Sequence, residues 1–175
     1  MKAYFAGGCF WCMEKPYHQI EGVISVTSGY SGGSEQNPSY SDVKAQKTGH
    51  RETVEIVFDE NRVSFTELFG IYLNSIDPFD DGGQFIDRGH SYTCAVYCVG
   101  DGQRKIVTDI IGDIEKKFSR AVAISVENFT AFYPAEEYHL NFAEKNPDEY
   151  EKEYELSGRK AFNENKENVF PGRTT

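Results

Sequence analysis

Cys9 and Cys12 stand three residues apart near the start of the chain, and Cys94 and Cys98 stand four apart further on. The thiolate is the nucleophilic form of cysteine, and a second thiol one helical turn away can displace whatever has bonded to the first sulfur. If Cys9 begins a helix, the two side chains share a face, and the helix amides favour a thiolate at Cys9 over one deeper in the helix. The bare spacing fits two small core residues as well. In an extended strand Cys94 and Cys98 face the same side about 13 Å apart, too far to form a disulfide with each other. The same distance weakens a zinc site built from all four thiols, so this second pair reads most simply as buried strand cysteines.

Other residues around these thiols offer chemistry. Phe10 and Trp11 follow Cys9 directly; such a pair either packs in the core or walls a pocket for a small uncharged group such as a methyl or thioether. Glu52, after His50 and Arg51, opens an alternating run, where its carboxyl is either a surface charge or, once partly buried, a proton donor. Tyr40, Asp87 and Tyr92 lie in or beside two Gly-rich stretches and can hold a polar oxygen, although an isolated tyrosine is more often a packing residue.

These groups need elements to carry them. Lys2 to Ala6 reads as a strand, Gly7 and Gly8 as a tight turn, and Phe10 to about Ile20 as a helix despite Pro16. Strands follow at Val23 to Tyr30 and Glu52 to Phe58, separated by a polar loop reaching Gly49. Ser64 and Glu67 form a capping-box pair ahead of a helix from Phe65 to Asn74, and Asp77-Pro78 ends it. Phe79 to Gly89 is a loop, Tyr92 to Val99 a strand, Lys105 to Phe118 a helix and Val122 to Glu127 a strand. Glu136 to Lys145 reads as one helical segment, and residues 148–175 as a polar surface helix or wrap, with 171–175 frayed. Strands interleaved with helices in this way predict a single α/β or α+β domain spanning residues 1–175.

With 175 residues the chain is long enough to bury a core without disulfide or metal. Its 18 Lys and Arg against 28 Asp and Glu leave a formal charge of −10, which argues against nucleic acid or an anionic membrane as the main partner. The 13 Phe, 11 Tyr and one Trp argue against wholesale disorder. The N-terminus has no apolar run of signal-peptide length and no 18-residue apolar segment occurs downstream, so a cytoplasmic protein is expected. No feature speaks for a subunit interface, and a monomer is expected.

The stretch Gly8-Cys9-Phe10-Trp11-Cys12-Met13-Glu14 resembles the signature of the A-type peptide-methionine sulfoxide reductases, whose GCFW motif carries the catalytic cysteine second. The resemblance continues through Gly29-Tyr30-Ser31-Gly32-Gly33, Asn37-Pro38-Ser39-Tyr40, Gly49-His50-Arg51-Glu52, Asp77-Pro78, Asp87-Arg88-Gly89 with Tyr92 beyond, and Phe132-Tyr133-Pro134-Ala135-Glu136-Glu137-Tyr138-His139. These blocks keep the family's order over residues 3–147. The resemblance implies a two-layer α/β sandwich with a mixed sheet and a split β-α-β core. It implies that Cys9 is the nucleophile, that Phe10 and Trp11 wall the substrate methyl, and that Glu52 protonates the sulfoxide oxygen. Tyr40, Asp87 and Tyr92 match residues that position this oxygen, and Gln84 matches a glutamine in the loop before the aspartate, counted here with the substrate-binding residues. The implied reaction reduces methionine S-sulfoxide, free or in proteins, leaves Cys9 as a sulfenic acid, and uses thioredoxin as reductant with no cofactor and no metal.

Many members keep a resolving cysteine near the C-terminus, whereas here none follows Cys98. Cys12 is then the candidate resolver. Direct reduction of the sulfenic acid by a small thiol is the competing route. Ile76, Gly83 and Thr93 replace residues that are often histidine, arginine and arginine in the family, which predicts changed affinity or packing rather than lost chemistry. Two other readings of the cysteines stand beside this one: a thioredoxin-like dithiol oxidoreductase using Cys9 and Cys12, and a zinc-binding structural module.

Overall fold

The structure, a computed structural model, describes residues 1–165; the segment expected to fray, 171–175, lies outside them. In chain order the elements are β1 (Lys2–Ala6), α1 (Phe10–Glu14), β2 (Val23–Ser31), α2 (Tyr40–Lys44), β3 (Arg51–Phe58), α3 (Phe65–Ser75), β4 (Gly83–Gln84), β5 (Asp87–Arg88), β6 (Cys94–Cys98), α4 (Asp101–Phe118), β7 (Ile124–Asn128), β8 (Phe132–Pro134), α5 (Phe142–Lys145), α6 (Pro147–Leu156) and α7 (Arg159–Asn165). Short 3₁₀ turns cover Lys15–Tyr17, His90–Tyr92 and Glu137–His139.

The main sheet runs β7-β6-β1-β3-β2-β8. β3 is antiparallel to both β1 and β2, so β1 and β2 are parallel with β3 between them: a split β-α-β unit whose crossover begins with α1. β6 pairs antiparallel with β1 and parallel with β7, giving a mixed sheet. This topology decides where the chemistry sits. Ala6, the end of β1, pairs with Thr53 and Ala95, while Tyr30, near the end of β2, pairs with Glu52. The end of β1, the end of β2 and the starts of β3 and β6 therefore share one edge of the sheet, and Cys9, Glu52 and Tyr92 all lie there.

The period-two alternation of the strands separates two apolar faces. Ala3, Phe5, Cys94, Val96 and Cys98 enter the large core beneath α1, α3 and α4, with Phe65, Leu68, Phe69, Tyr72 and Leu73 opposite them. Tyr4, Ala6, Ala95 and Tyr97 face the other side, against Phe129 and Phe132. Cys94 and Cys98 are thus core residues on one face, and burial pushes the Cys94 thiol up to about 12. α3 starts at the expected box: Ser64 Oγ accepts from Glu67 N at 3.2 Å and the Glu67 carboxylate accepts from Ser64 N at 2.9 Å.

Several elements differ from the sequence expectation. The first helix is five residues long and passes into a 3₁₀ turn holding Pro16, because proline supplies no amide to extend the α-helical ladder. The polar loop before Gly49 contains α2, capped by Ser39 Oγ accepting from Asp42 N. The Phe79–Gly89 loop folds on itself as the β4-β5 hairpin. The sixth strand starts at Cys94, not Tyr92, because His90–Tyr92 turns. Glu136 to Lys145 is not one helix: Asn141 takes a left-handed conformation, φ 53°, between the 3₁₀ turn and α5. The polar C-terminal segment forms two helices, α6 and α7, that pack against α1 and against each other. Among the described residues no helix is long and apolar enough to cross a membrane.

Candidate active site

Gly7 and Gly8 connect β1 to α1 under tight constraint. A Cβ on Gly7 would lie 2.6 Å from Ile76 Cγ2, and one on Gly8, whose φ is +85°, 2.6 Å from Arg159 Nη2 and 2.7 Å from Gln84 Cβ. Only glycine passes there, and the turn delivers Cys9 as the cap residue of α1, half-buried at the sheet edge. Cys9 O accepts from Cys12 N and Met13 N at 3.1 and 3.2 Å, which fixes the two thiols on one turn. Their side chains hydrogen-bond each other.

Cys9, Phe10, Trp11 and Cys12 open onto a cavity of about 260 Å³ that Tyr40, Glu52, Asp87 and Tyr92 also line. Glu52 is 2% exposed. Its Oε2 accepts from Phe10 N at 3.0 Å, and its carboxyl also meets the Tyr92 hydroxyl. Burial, with Asp87 nearby, pushes its pKa up to about 8 against those two hydrogen bonds. A carboxyl so placed is protonated at neutral pH and can donate. Asp87 is also raised, mainly by burial, while burial and the surrounding carboxylates hold the Tyr40 and Tyr92 phenols neutral.

The thiol pair departs from the expected charge order. The Cys9 thiol is held well above its ordinary range, first by its hydrogen bond to Cys12 and then by burial and the Glu52 and Asp87 carboxyls. Cys12 is lowered, first by accepting from Cys9 and, against burial, by the Arg159 charge and the Tyr150 hydroxyl. α1 has only five residues, and the first amide of the helix, Phe10 N, serves Glu52 rather than the Cys9 sulfur. Of the two, Cys12 is the thiol whose charged form the surroundings favour.

A buried, protonated carboxyl beside a thiol pair on an aromatic-walled cavity is the equipment for reducing an oxidised sulfur, and comparisons with known proteins agree. The peptide methionine sulfoxide reductase family profile matches residues 1–169. The chain belongs to that family. The reductase is 44% identical over 162 residues to a peptide methionine sulfoxide reductase of Ligilactobacillus salivarius, covering 91% of this chain and 94% of that one. The reduced form of Mxr1 from Saccharomyces cerevisiae superposes with a TM-score of 0.79 at 26% identity, over 85% of this chain and 86% of that one. Mxr1 in complex with Trx2 shares the fold, with a TM-score of 0.55 at 18% identity over 78% and 81% of the two chains. The reductase is accordingly an enzyme that reduces methionine sulfoxide by thiol chemistry on a mixed α/β fold. The dithiol-exchange and zinc-module readings of its cysteines give way to this family membership.

The structure brings eight of the nine residues singled out from sequence to the cavity: Cys9, Phe10, Trp11, Cys12, Tyr40, Glu52, Asp87 and Tyr92. Gln84 stands apart. It is fully buried; its Oε1 accepts from Asp77 N at 2.8 Å and its Nε2 donates to Asp77 O and Gly83 O at 2.9 and 2.8 Å. Its amide is thus spent holding the β4-β5 hairpin to the end of α3. Of the departures, Gly83 has φ +144° and leaves 2.2 Å between a Cβ and Asp87 O, so this hairpin cannot carry an arginine there. Thr93 Oγ1 accepts from Arg51 Nε at 2.8 Å, and Ile76 fills space beneath Gly7.

Other residues complete the site without having been assigned roles from sequence. Glu136 accepts from the Tyr30 hydroxyl at 3.0 Å and from Tyr40 N at 3.1 Å, tying α2 to β2. His139 Nδ1 accepts from the Trp11 indole N–H at 3.1 Å, and the indole stacks on Phe142 at 3.7 Å between centroids. Glu149, Glu153 and Ser157 of the C-terminal segment form one wall of the cavity. Composition marked that segment as a polar cover; nothing local to it indicates that it lines a site. Because the indole can only donate, His139 carries its own proton on Nε2, and burial lowers its pKa so that Nδ1 remains an acceptor. A neutral hydrogen bond is worth about 0.5–1.5 kcal/mol. His139→Phe, which keeps a ring but removes the acceptor, should therefore raise KM for a peptide sulfoxide about 2- to 10-fold with kcat changed less, and His139→Gln should restore part of the loss. Steady-state kinetics on both variants checks this, and an unchanged KM in His139→Phe would remove the contact from substrate binding.

Proposed function

We propose that the reductase acts on methionine S-sulfoxide, with Cys9 as nucleophile, Glu52 as proton donor, Cys12 as resolving thiol and a thioredoxin-type dithiol as final reductant. The observation that carries this reading is the neutral, buried Glu52 carboxyl on the same small cavity as the Cys9–Cys12 pair. Substrate sulfur approaches Cys9 with its methyl against Phe10 and Trp11. Its oxygen meets Glu52, Tyr40 and Tyr92, with Asp87 beyond.

As Cys9 attacks sulfur, its proton crosses to the Cys12 thiolate and the Glu52 proton passes to oxygen. Methionine leaves, Cys9 becomes a sulfenic acid, Cys12 a thiol and Glu52 a carboxylate. Cys12 then condenses with the sulfenic acid to give the Cys9–Cys12 disulfide and water, and Glu52 recovers its proton from solvent. Two electrons have moved from the thiol pair to the sulfoxide. Exchange with an external dithiol returns both thiols. The complex of Mxr1 with Trx2 supports a thioredoxin-type partner.

The nucleophile, proton donor and resolving thiol all lie on the one cavity, and a monomer is the working unit we propose. Mass mapping of the enzyme after one substrate turnover should find Cys9 joined to Cys12, with Cys94 and Cys98 still reduced in the core. A sulfenic acid persisting at Cys9, or a disulfide to Cys94, would reject the assignment of Cys12.

A further inference from the structure

Cys12 borders two cavities. The first is the substrate cavity it shares with Cys9. The second, about 330 Å³, lies between the start of the chain and the C-terminal helices, and its lining includes Cys12, Lys15, Gln19, Tyr150, Arg159 and Asn163 but not Cys9. The two differ in charge. Among the described residues, Glu52, Asp87, Glu149 and Glu153 line the first, with Lys44 as its single cation, whereas the second has Lys15 and Arg159 and no carboxylate.

Arg159 is 2% exposed, and its guanidinium donates to Ser75 O at 2.6 Å, Gly7 O at 2.9 Å and Met13 Sδ at 3.7 Å, all uncharged acceptors. A buried cation held by neutral groups keeps most of its field for an anion nearby. Lys15 Nζ lies 4.2 Å from the centre of the Tyr150 ring, at the same cavity. Glu151 and Glu155, which are not part of the lining, both pair with Lys160, and Glu151 also acts on Lys15 at the rim. In a chain of formal charge −10, a cationic recess at a redox-active sulfur is a local reversal of sign.

We propose that this second cavity is an entry port for a small anionic thiol, a monothiol bearing a carboxylate, which attacks Cys12 in the oxidised enzyme. The inference rests on Cys12 being the resolving thiol. Thiol-disulfide exchange displaces the leaving sulfur from the side opposite the attacking one. In the Cys9–Cys12 disulfide the leaving sulfur belongs to Cys9, on the substrate cavity, and the second cavity reaches Cys12 where Cys9 does not. The incoming thiolate forms a bond to Cys12 Sγ, the Cys9–Cys12 bond breaks, and Cys9 leaves as a thiolate that takes up a proton. A second thiolate attacks the small-molecule sulfur of this mixed disulfide. Cys12 is released as a thiolate, and two thiols have become one disulfide. Lys15 and Arg159 draw in the thiolate and its carboxylate.

The test starts from enzyme oxidised by one turnover with methionine sulfoxide, with its disulfide mapped by mass. It measures reduction by 3-mercaptopropionate, 2-mercaptoethanol and cysteamine, corrected for the thiolate fraction of each. The anionic thiol should react about tenfold or more faster than the cationic one, the scale of electrostatic steering into a charged cleft. The trapped mixed disulfide should sit on Cys12. Lys15→Glu, an exposed change, should abolish or invert the preference, and Gln19→Trp at the lining should slow all three thiols. Equal rates, a preference unchanged in Lys15→Glu, an adduct on Cys9, or reduction by thioredoxin alone would each overturn the port. If no Cys9–Cys12 disulfide forms at all, the resolver assignment fails and the port with it, a result distinct from a mapped disulfide that reacts without regard to charge.

Discussion

Glu52→Gln is expected to slow methionine release in a single turnover by about 10²-fold or more, the scale of a lost general acid. Glutamine keeps the shape, and its carbonyl can still accept from Phe10 N, so the cap of α1 and the placement of Cys9 survive the change. What disappears is the Glu52 proton, which burial holds into the neutral range. The pH dependence carries the same signature. Because burial raises the Glu52 pKa to about 8, its acid form prevails below that value, and the wild-type rate of the sulfenic-acid-forming step should fall as pH rises through about 8. Thiolate formation has the opposite slope, since deprotonation makes the nucleophile, so the descending limb belongs to Glu52. In Glu52→Gln that limb should vanish along with most of the rate. Rapid-quench measurement of methionine across pH 6–10 checks both, and a near-normal single-turnover rate would remove Glu52 from the donor role.

Why Glu52 is buried at the cavity could not be read from the residues around it. Locally it is one of two carboxylates in an amphipathic strand, Glu55 being the other. Its burial comes from register, which sets β3 between β1 and β2 and points the start of that strand beneath the Gly7–Gly8 turn. Features resting on short-range rules were legible: the capping box of α3, the alternation that puts Cys94 and Cys98 on one face, the glycine turn before Cys9. Features made by distant contacts were not. Arg159 and Glu149 lie in a segment whose composition says only that it is polar, and they reach the thiols because α6 and α7 fold back across α1. The electrostatics of the two thiols likewise depend on distant contacts. A helix start stabilises an anion through its free amides, but here a carboxyl from another strand takes the first of them.

Cys12→Ser should separate the two halves of the reaction. One equivalent of methionine per enzyme should still form, because Cys9, Glu52 and the aromatic wall remain, while thioredoxin-linked turnover falls to background. The serine hydroxyl can neither condense with a sulfenic acid nor carry the anionic charge that the Arg159 field and the Tyr150 hydroxyl favour on the Cys12 sulfur. The sulfenic acid, now without a neighbouring thiol, should persist long enough to be trapped by a cyclic 1,3-diketone and located on Cys9 by mass. Cys94 cannot substitute, since it lies in the core beneath the sheet with its thiol held neutral by burial and hydrogen-bonded to Tyr72. Undiminished turnover with thioredoxin in Cys12→Ser would refute the resolver assignment and point instead to direct reduction of the sulfenic acid.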